Sequence, residues 1–152
     1  MPDGTFGVMT SEGPGQMTAA ELFGGKKVVL FSVPGAFTPT CSNNHLPGYV
    51  EHAAALKAKG VDTIACTAVN DAFVMGAWGQ ERGVGDNVLM LADGNGDYVK
   101  ALGLELDASG FGMGIRGQRF AIVVDDGVAT HVHVEEGGEF RVSAAEAILD
   151  VL

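Results

Sequence analysis

The sequence predicts an α/β fold, a mixed central β-sheet flanked by helices. Three observations carry this. Short apolar runs alternate with stretches of helical periodicity between residues 27 and 102. The last third holds two further apolar runs joined by a tight-turn signal, Asp125-Asp126-Gly127. A polar-to-apolar switch at Ser143 then opens a closing helix. With 152 residues, 47% of them hydrophobic, the chain is expected to form one domain over residues 1–152 with a full core.

The elements read in order. Residues 4–15 are glycine-rich and polar, a leading loop or edge hairpin. Thr18, with Glu21 three residues on, is a capping box for a short helix that stops at Gly24-Gly25. Residues 27–33 form an apolar run halted by Pro34, the pattern of a buried strand. Across residues 40–59, Leu46, Tyr49, Val50, Ala53 and Leu56 recur at helical spacing. Pro47 should kink or divide this helix, and Gly60 ends it.

A second strand spans residues 61–69, and Asn70-Asp71 then offers a cap for a helix to about Arg82. Residues 87–92 are a third apolar run, 94–96 a turn and 98–102 a short helix. Residues 119–124 and 128–134 make a hairpin about the Asp125-Asp126-Gly127 turn. Ser143 is expected to cap the last helix, residues 144–152.

Charge excludes some functions. Nineteen acidic against nine basic residues give −10, the wrong sign for a nucleic-acid footprint or an anionic membrane surface. The excess gathers late, with seven acids and one base from Asp125 to Leu152, and reads as a solvated surface. No apolar run approaches the roughly 18 residues of a transmembrane helix, and no basic start introduces a secretory signal. A cytoplasmic location is therefore expected. There the two cysteines, Cys41 and Cys66, should be free thiols.

Cys41 stands out because it follows a buried strand and falls in the first turn of a helix. Unpaired N–H groups and the positive dipole end favour a thiolate there. Thr38 lies three residues earlier, within reach of the same turn, while Pro34 and Pro39 stiffen the approach and shield the sulfur. The competing reading is a buried, inert cysteine. Cys66 sits among apolar neighbours in a strand, an environment that keeps a thiol protonated and inert. His45, one helical turn past Cys41, reads as a packing or hydrogen-bonding histidine in preference to a general base. His131 and His133 with Glu135 share a strand face but lack a fourth metal ligand. Phe73 and Trp78 read as core or subunit-interface aromatics.

Pro34, Thr38 and Cys41 fit the Pro-x-x-x-Thr/Ser-x-x-Cys signature of peroxiredoxins. The run Val33-Pro-Gly-Ala-Phe-Thr-Pro-Thr-Cys-Ser42, then His45-Leu-Pro-Gly48, resembles the peroxiredoxin 5 subfamily. So do Lys57-Ala-Lys-Gly60, Val69-Asn-Asp-Ala-Phe73 with Trp78, and Arg119-Phe120 followed by Val123-Val-Asp-Asp-Gly127. The resemblance runs in register over about residues 22–134.

It implies a thioredoxin-like fold with an N-terminal extension and an insertion between strands. It also implies a thiol-dependent peroxidase for hydrogen peroxide and alkyl hydroperoxides. Cys41 matches the peroxidatic cysteine, which becomes a sulfenic acid. Thr38 matches the threonine that orients the peroxide, and Pro34 the proline that limits water. Arg119 matches the arginine that holds the site positive. Arg116, three residues earlier, is expected as a surface guanidinium or salt-bridge partner.

Some members resolve the sulfenic acid with a cysteine near the C-terminus; this chain has none after Cys66. The resemblance therefore implies a 1-Cys cycle closed by an outside reductant, glutathione with glutaredoxin or else thioredoxin. It implies no metal, haem, flavin or nucleotide, and a homodimer meeting near the active-site helices. A redox relay and a non-catalytic holdase are the competing classes.

Overall fold

The computed structural model describes residues 1–152. An N-terminal hairpin, β1 (Thr5–Thr10) and β2 (Gly13–Thr18), leads into helix α1 (Ala19–Phe23). Thr18 caps α1 reciprocally with Glu21, as the spacing predicts. Strand β3 (Lys27–Ser32) follows, then helices α2 (Leu46–Glu51) and α3 (Ala53–Ala58), strand β4 (Thr63–Ala68) and helix α4 (Ala72–Glu81). Next come β5 (Leu89–Ala92), α5 (Asp97–Leu102), the short strands β6 (Glu105–Asp107) and β7 (Ile115–Gly117), the hairpin β8 (Phe120–Asp125) and β9 (Val128–Val134), and α6 (Ala145–Val151).

Seven strands form one sheet in the order β2-β1-β5-β4-β3-β8-β9. β3, β4 and β5 run parallel, while β8 returns antiparallel beside β3, so the sheet is mixed as predicted. β3 is an interior strand, flanked by β4 and β8, and its side chains alternate between two cores. Val29 and Phe31 face α2, α4 and α6 with Tyr49, Cys66, Trp78 and Ile148; Val28 and Leu30 face α1 and α5 with Phe6, Leu22 and Tyr98. Trp78 is fully buried and its indole N–H donates to Ser42 Oγ at 2.9 Å. Trp78→Ala should therefore cost about 3–5 kcal/mol, read from the urea midpoint.

The turn at Asp126-Gly127 has positive φ at both residues, 45° and 80°, the twist that joins right-handed strands. Asp126 also accepts from the Gly25 N–H at 2.7 Å, tying the hairpin to the end of α1.

Two expectations need correction, and one element was not foreseen. Pro47 does not divide its helix: the chain is helical from Pro39 to Glu51, and the break falls at His52. The reason lies just upstream. Cys41–His45 form a π turn, with Leu46 N–H donating to the Cys41 carbonyl, so the α-type ladder has already changed register where the proline lacks its donor. Ser143 does not cap α6; Ala144 holds the cap position and makes no side-chain bond there. The Ser143 hydroxyl is instead spent on Glu135. Finally, β6 and β7 pair as a separate small hairpin that the three-residue, largely exposed strands do not betray in sequence. No helix is long and apolar enough to cross a membrane.

Candidate active site

β3 ends in the middle of the sheet, and Val33 N–H still reaches across to the Thr67 carbonyl. The loop that follows is pinned by Ala36 N–H donating to Asn70 Oδ1 at 3.0 Å. Helix then begins at Pro39, a position that needs no N–H and favours its fixed φ. Cys41 is thus in the first helical turn, as predicted, and it is fully buried and free of any disulfide.

Arg119 immediately precedes β8. Because Phe120 pairs with Ser32, Arg119 lies opposite Val33, beside the Pro34 loop. Its Nη2 donates to Cys41 Sγ at 3.1 Å and its Nη1 to His45 Nδ1 at 2.8 Å. Phe140 covers the guanidinium, with its ring centroid 5.9 Å away. The fork holds two partners at once from two nitrogens fixed in one plane, a geometry that the single ammonium of a lysine lacks. Cys41 and Arg119, the pair the resemblance singled out, are thus in direct contact.

Neither Thr38 nor Pro34 makes a hydrogen bond to the sulfur. The Thr38 hydroxyl donates to the Gly35 carbonyl at 2.7 Å, which shapes the loop. Arg116 does not bind the sulfur or an acid. It is half-buried and braces this loop through the Met113 and Pro34 carbonyls, at 2.9 and 3.5 Å. A Cβ on Gly35 would meet its Nη1 at 3.2 Å, so guanidinium and glycine are packed against each other.

His45 is fully buried. Its Nε2 donates to the Ser143 carbonyl at 3.1 Å, leaving Nδ1 as the acceptor for Arg119. Burial, and then the neighbouring Arg119 charge, push its pKa down to about 3, so it stays neutral and its lone pair is occupied. That excludes a general-base role and supports the hydrogen-bonding one. It also sets a pH dependence. The unfolded histidine takes up a proton near 6.5 and the folded one only near 3, so stability is complete above 6.5 and falls as pH drops below it. The loss should approach about 1.4 kcal/mol per pH unit across that window. Urea midpoints at pH 7 and pH 5 should differ accordingly, and His45→Gln should flatten the difference.

Residues 135–143 complete the site; the sequence put Glu135 on a strand face with His131 and His133 and Ser143 at a helix cap, and the structure buries both against each other. Glu135, only 8% exposed, accepts through Oε2 from the Ser143 hydroxyl at 2.6 Å, Ser143 N–H at 2.8 Å and Arg141 N–H at 2.7 Å. Burial pushes this carboxyl up, but the Ser143, Arg141 and Val142 bonds outweigh it and hold it below its ordinary value. The Ser143 carbonyl receives Tyr49 Oη at 2.7 Å as well as His45. A cavity of about 550 Å³ opens beside these groups, lined among others by Pro34, Thr40, Phe111, Arg119 and Glu135.

Cys66 lies in β4 opposite Phe31, fully buried, and burial pushes its thiol well up. His133 is engaged with the Val142 carbonyl and Glu135 with Ser143; no group of three metal-type ligands forms. Phe73 is exposed and Trp78 buried, so of this pair only the tryptophan is core.

A buried thiol at a helix start, under a guanidinium, at the end of a central strand of a mixed sheet defines a thiol-based redox protein of the thioredoxin-like fold. Comparisons sharpen this. The Redoxin family model matches residues 1–149. Peroxiredoxin-2E-2, chloroplastic, of Oryza sativa subsp. japonica is 55% identical over 139 residues, covering 90% of this chain; the chain spans only 62% of that relative. Peroxiredoxin-2C of the same plant is 53% identical over 100% of this chain and 94% of its own. Among solved structures, reduced Prx3 in complex with H2O2 from Vibrio vulnificus superposes with a TM-score of 0.95 at 55% identity, over 99% of this chain and 94% of that one. The chain belongs to the peroxiredoxin family of thiol peroxidases.

Proposed function

We propose that this chain reduces hydrogen peroxide and organic hydroperoxides through Cys41 and is regenerated by an outside thiol. The observation that carries this is the Arg119 fork, one nitrogen on Cys41 Sγ and the other fixed by His45. The thiolate attacks one peroxide oxygen and the O–O bond breaks. Sulfur is oxidised to a sulfenic acid, and the leaving oxygen takes a proton to become water or alcohol. The guanidinium lies where negative charge moves from sulfur to the leaving oxygen. Pro34 and its braced loop limit water, and Thr38, three residues before Cys41, orients the peroxide once its hydroxyl turns from the Gly35 carbonyl. The Vibrio vulnificus protein crystallised with H2O2 supports this substrate choice.

A first outside thiol then condenses with the sulfenic acid, releasing water and leaving a mixed disulfide. A second thiol displaces it and restores Cys41. Burial of Cys66, with its thiol pushed up, supports a 1-Cys cycle. Glutathione with glutaredoxin is the reductant this reading favours, ahead of thioredoxin. Cys66→Ser should leave peroxide turnover within about twofold of the parent, since an inert thiol contributes packing only. A stalled Cys66→Ser enzyme would overturn the 1-Cys account.

The peroxiredoxin 5 subgroup belongs to the same proposal, supported by the motif runs around Cys41 and Arg119; the relatives above carry type 2 and type 3 names. A homodimer and a reducing, cytoplasmic setting complete it. Exposed Phe37, Phe73 and Phe111 support the first, and the two free thiols the second.

The test is stopped-flow oxidation of the reduced protein by hydrogen peroxide, with intact-mass analysis. Oxidation far faster than free cysteine, adding one oxygen at Cys41 without a Cys41–Cys66 disulfide, is the expected result. Oxidation no faster than free cysteine would sink the peroxidase reading.

A further inference from the structure

We infer that Glu135 is a positioning residue for Arg119, acting across the loop of residues 135–143 through Ser143 and His45. This rests on the peroxidase reading above. Glu135 touches neither the sulfur nor the guanidinium by a hydrogen bond. It gathers three donors on one oxygen, Arg141 N–H, Ser143 N–H and Ser143 Oγ, at 2.6–2.8 Å. Those bonds fix the Ser143 peptide, whose carbonyl then has a set direction.

Two buried side chains of the cysteine-bearing helix point their hydrogens at that carbonyl, Tyr49 at 2.7 Å and His45 at 3.1 Å. Because the Ser143 carbonyl claims the hydrogen on Nε2, Nδ1 keeps a bare lone pair. Arg119 Nη1 donates to it at 2.8 Å, and the planar fork then sends Nη2 to Cys41 Sγ at 3.1 Å. Phe140, carried on the same loop, packs on His45 and on the guanidinium, with centroid distances of 4.9 and 5.9 Å. The loop thus fixes the tautomer of His45 and the plane of Arg119 together.

The carboxylate charge and its three-donor geometry are what Glu135→Gln removes at nearly constant volume. A neutral amide oxygen accepts fewer and weaker bonds, so the Ser143 carbonyl is freed to turn. Glu135→Gln should slow hydrogen-peroxide oxidation of Cys41 by about tenfold, by loosening a preorganised donor. Ser143→Ala, which removes only the 2.6 Å hydroxyl bond, should act in the same direction by about threefold.

The deciding readout is a double-mutant cycle by stopped flow. In an Arg119→Ala background, Glu135→Gln should change the oxidation rate less than about twofold, because the group it positions is gone. If Glu135 merely anchored α6, Glu135→Gln would lower the urea midpoint and leave the rate unmoved. Full additivity with Arg119→Ala, or rates within about twofold of wild type for both single variants, overturns the inference. If Glu135→Gln fails to fold, the same cycle is run with Ser143→Ala and judged by the same criterion. Wild-type oxidation no faster than free cysteine sinks the peroxidase reading, whereas fast wild type with unmoved variants sinks this inference alone.

Discussion

Cys41→Ser should keep the fold and abolish peroxide turnover. The substitution exchanges one small buried atom for another, and Arg119 Nη2 can donate to a hydroxyl as it does to the sulfur. What disappears is the chemistry: a serine hydroxyl is neither ionised nor nucleophilic enough to open an O–O bond, and it has no sulfenic state. Peroxide consumption in the presence of excess thiol should fall to the rate of thiol and peroxide alone. The urea midpoint should move by no more than about 1 kcal/mol equivalent, the scale of a single altered hydrogen bond. Consumption well above background in the variant would mean that Cys66 or another group carries the reaction.

Arg119→Ala should slow the oxidation step by about 10²–10³, the usual loss when a preorganised donor at developing charge is removed. Two effects add in this site. The sulfur loses its 3.1 Å donor, and His45 Nδ1 is left buried without a partner, at a further stability cost of about 1–3 kcal/mol. Arg119→Lys separates them: the positive charge remains, but a single ammonium cannot hold both the sulfur and the imidazole in one plane. Its oxidation rate should fall between alanine and wild type. A lysine variant as slow as alanine would show that fork geometry outweighs charge; one as fast as wild type would show the reverse.

Much of this architecture was legible before any coordinates. Strand-to-helix alternation, the Thr18–Glu21 cap and the Asp126-Gly127 turn are local signals, decided by a few neighbouring residues. Cys41 is equally local, since an apolar run halted by Pro34 and helical spacing from residue 40 put it at a strand-to-helix junction. Arg119 required the resemblance, because nothing within its own neighbourhood says that it faces residue 41.

Glu135 and Ser143 were opaque for a different reason. Glu135 sits in the most acidic stretch of the chain, where a carboxylate reads as solvated surface. Only the return of residues 141–143 over it turns that side chain into a buried acceptor. The continuity of the helix through Pro47 was hidden too, because the π turn that accommodates it leaves no mark in residue spacing.

The span between the sulfur and its guanidinium has a consequence for the growing polypeptide. Arg119 lies 78 residues beyond Cys41, and Ser143 lies 98 beyond His45. At translation rates of about 5–20 residues per second, Cys41 is added to the chain roughly 4–16 s before Arg119. A nascent chain therefore carries Cys41 without its Arg119 partner until β8 is made. The sulfur meets its donor only when β8 docks beside β3, so on the peroxidase reading proposed above a half-made molecule is spared the oxidation that the finished one invites.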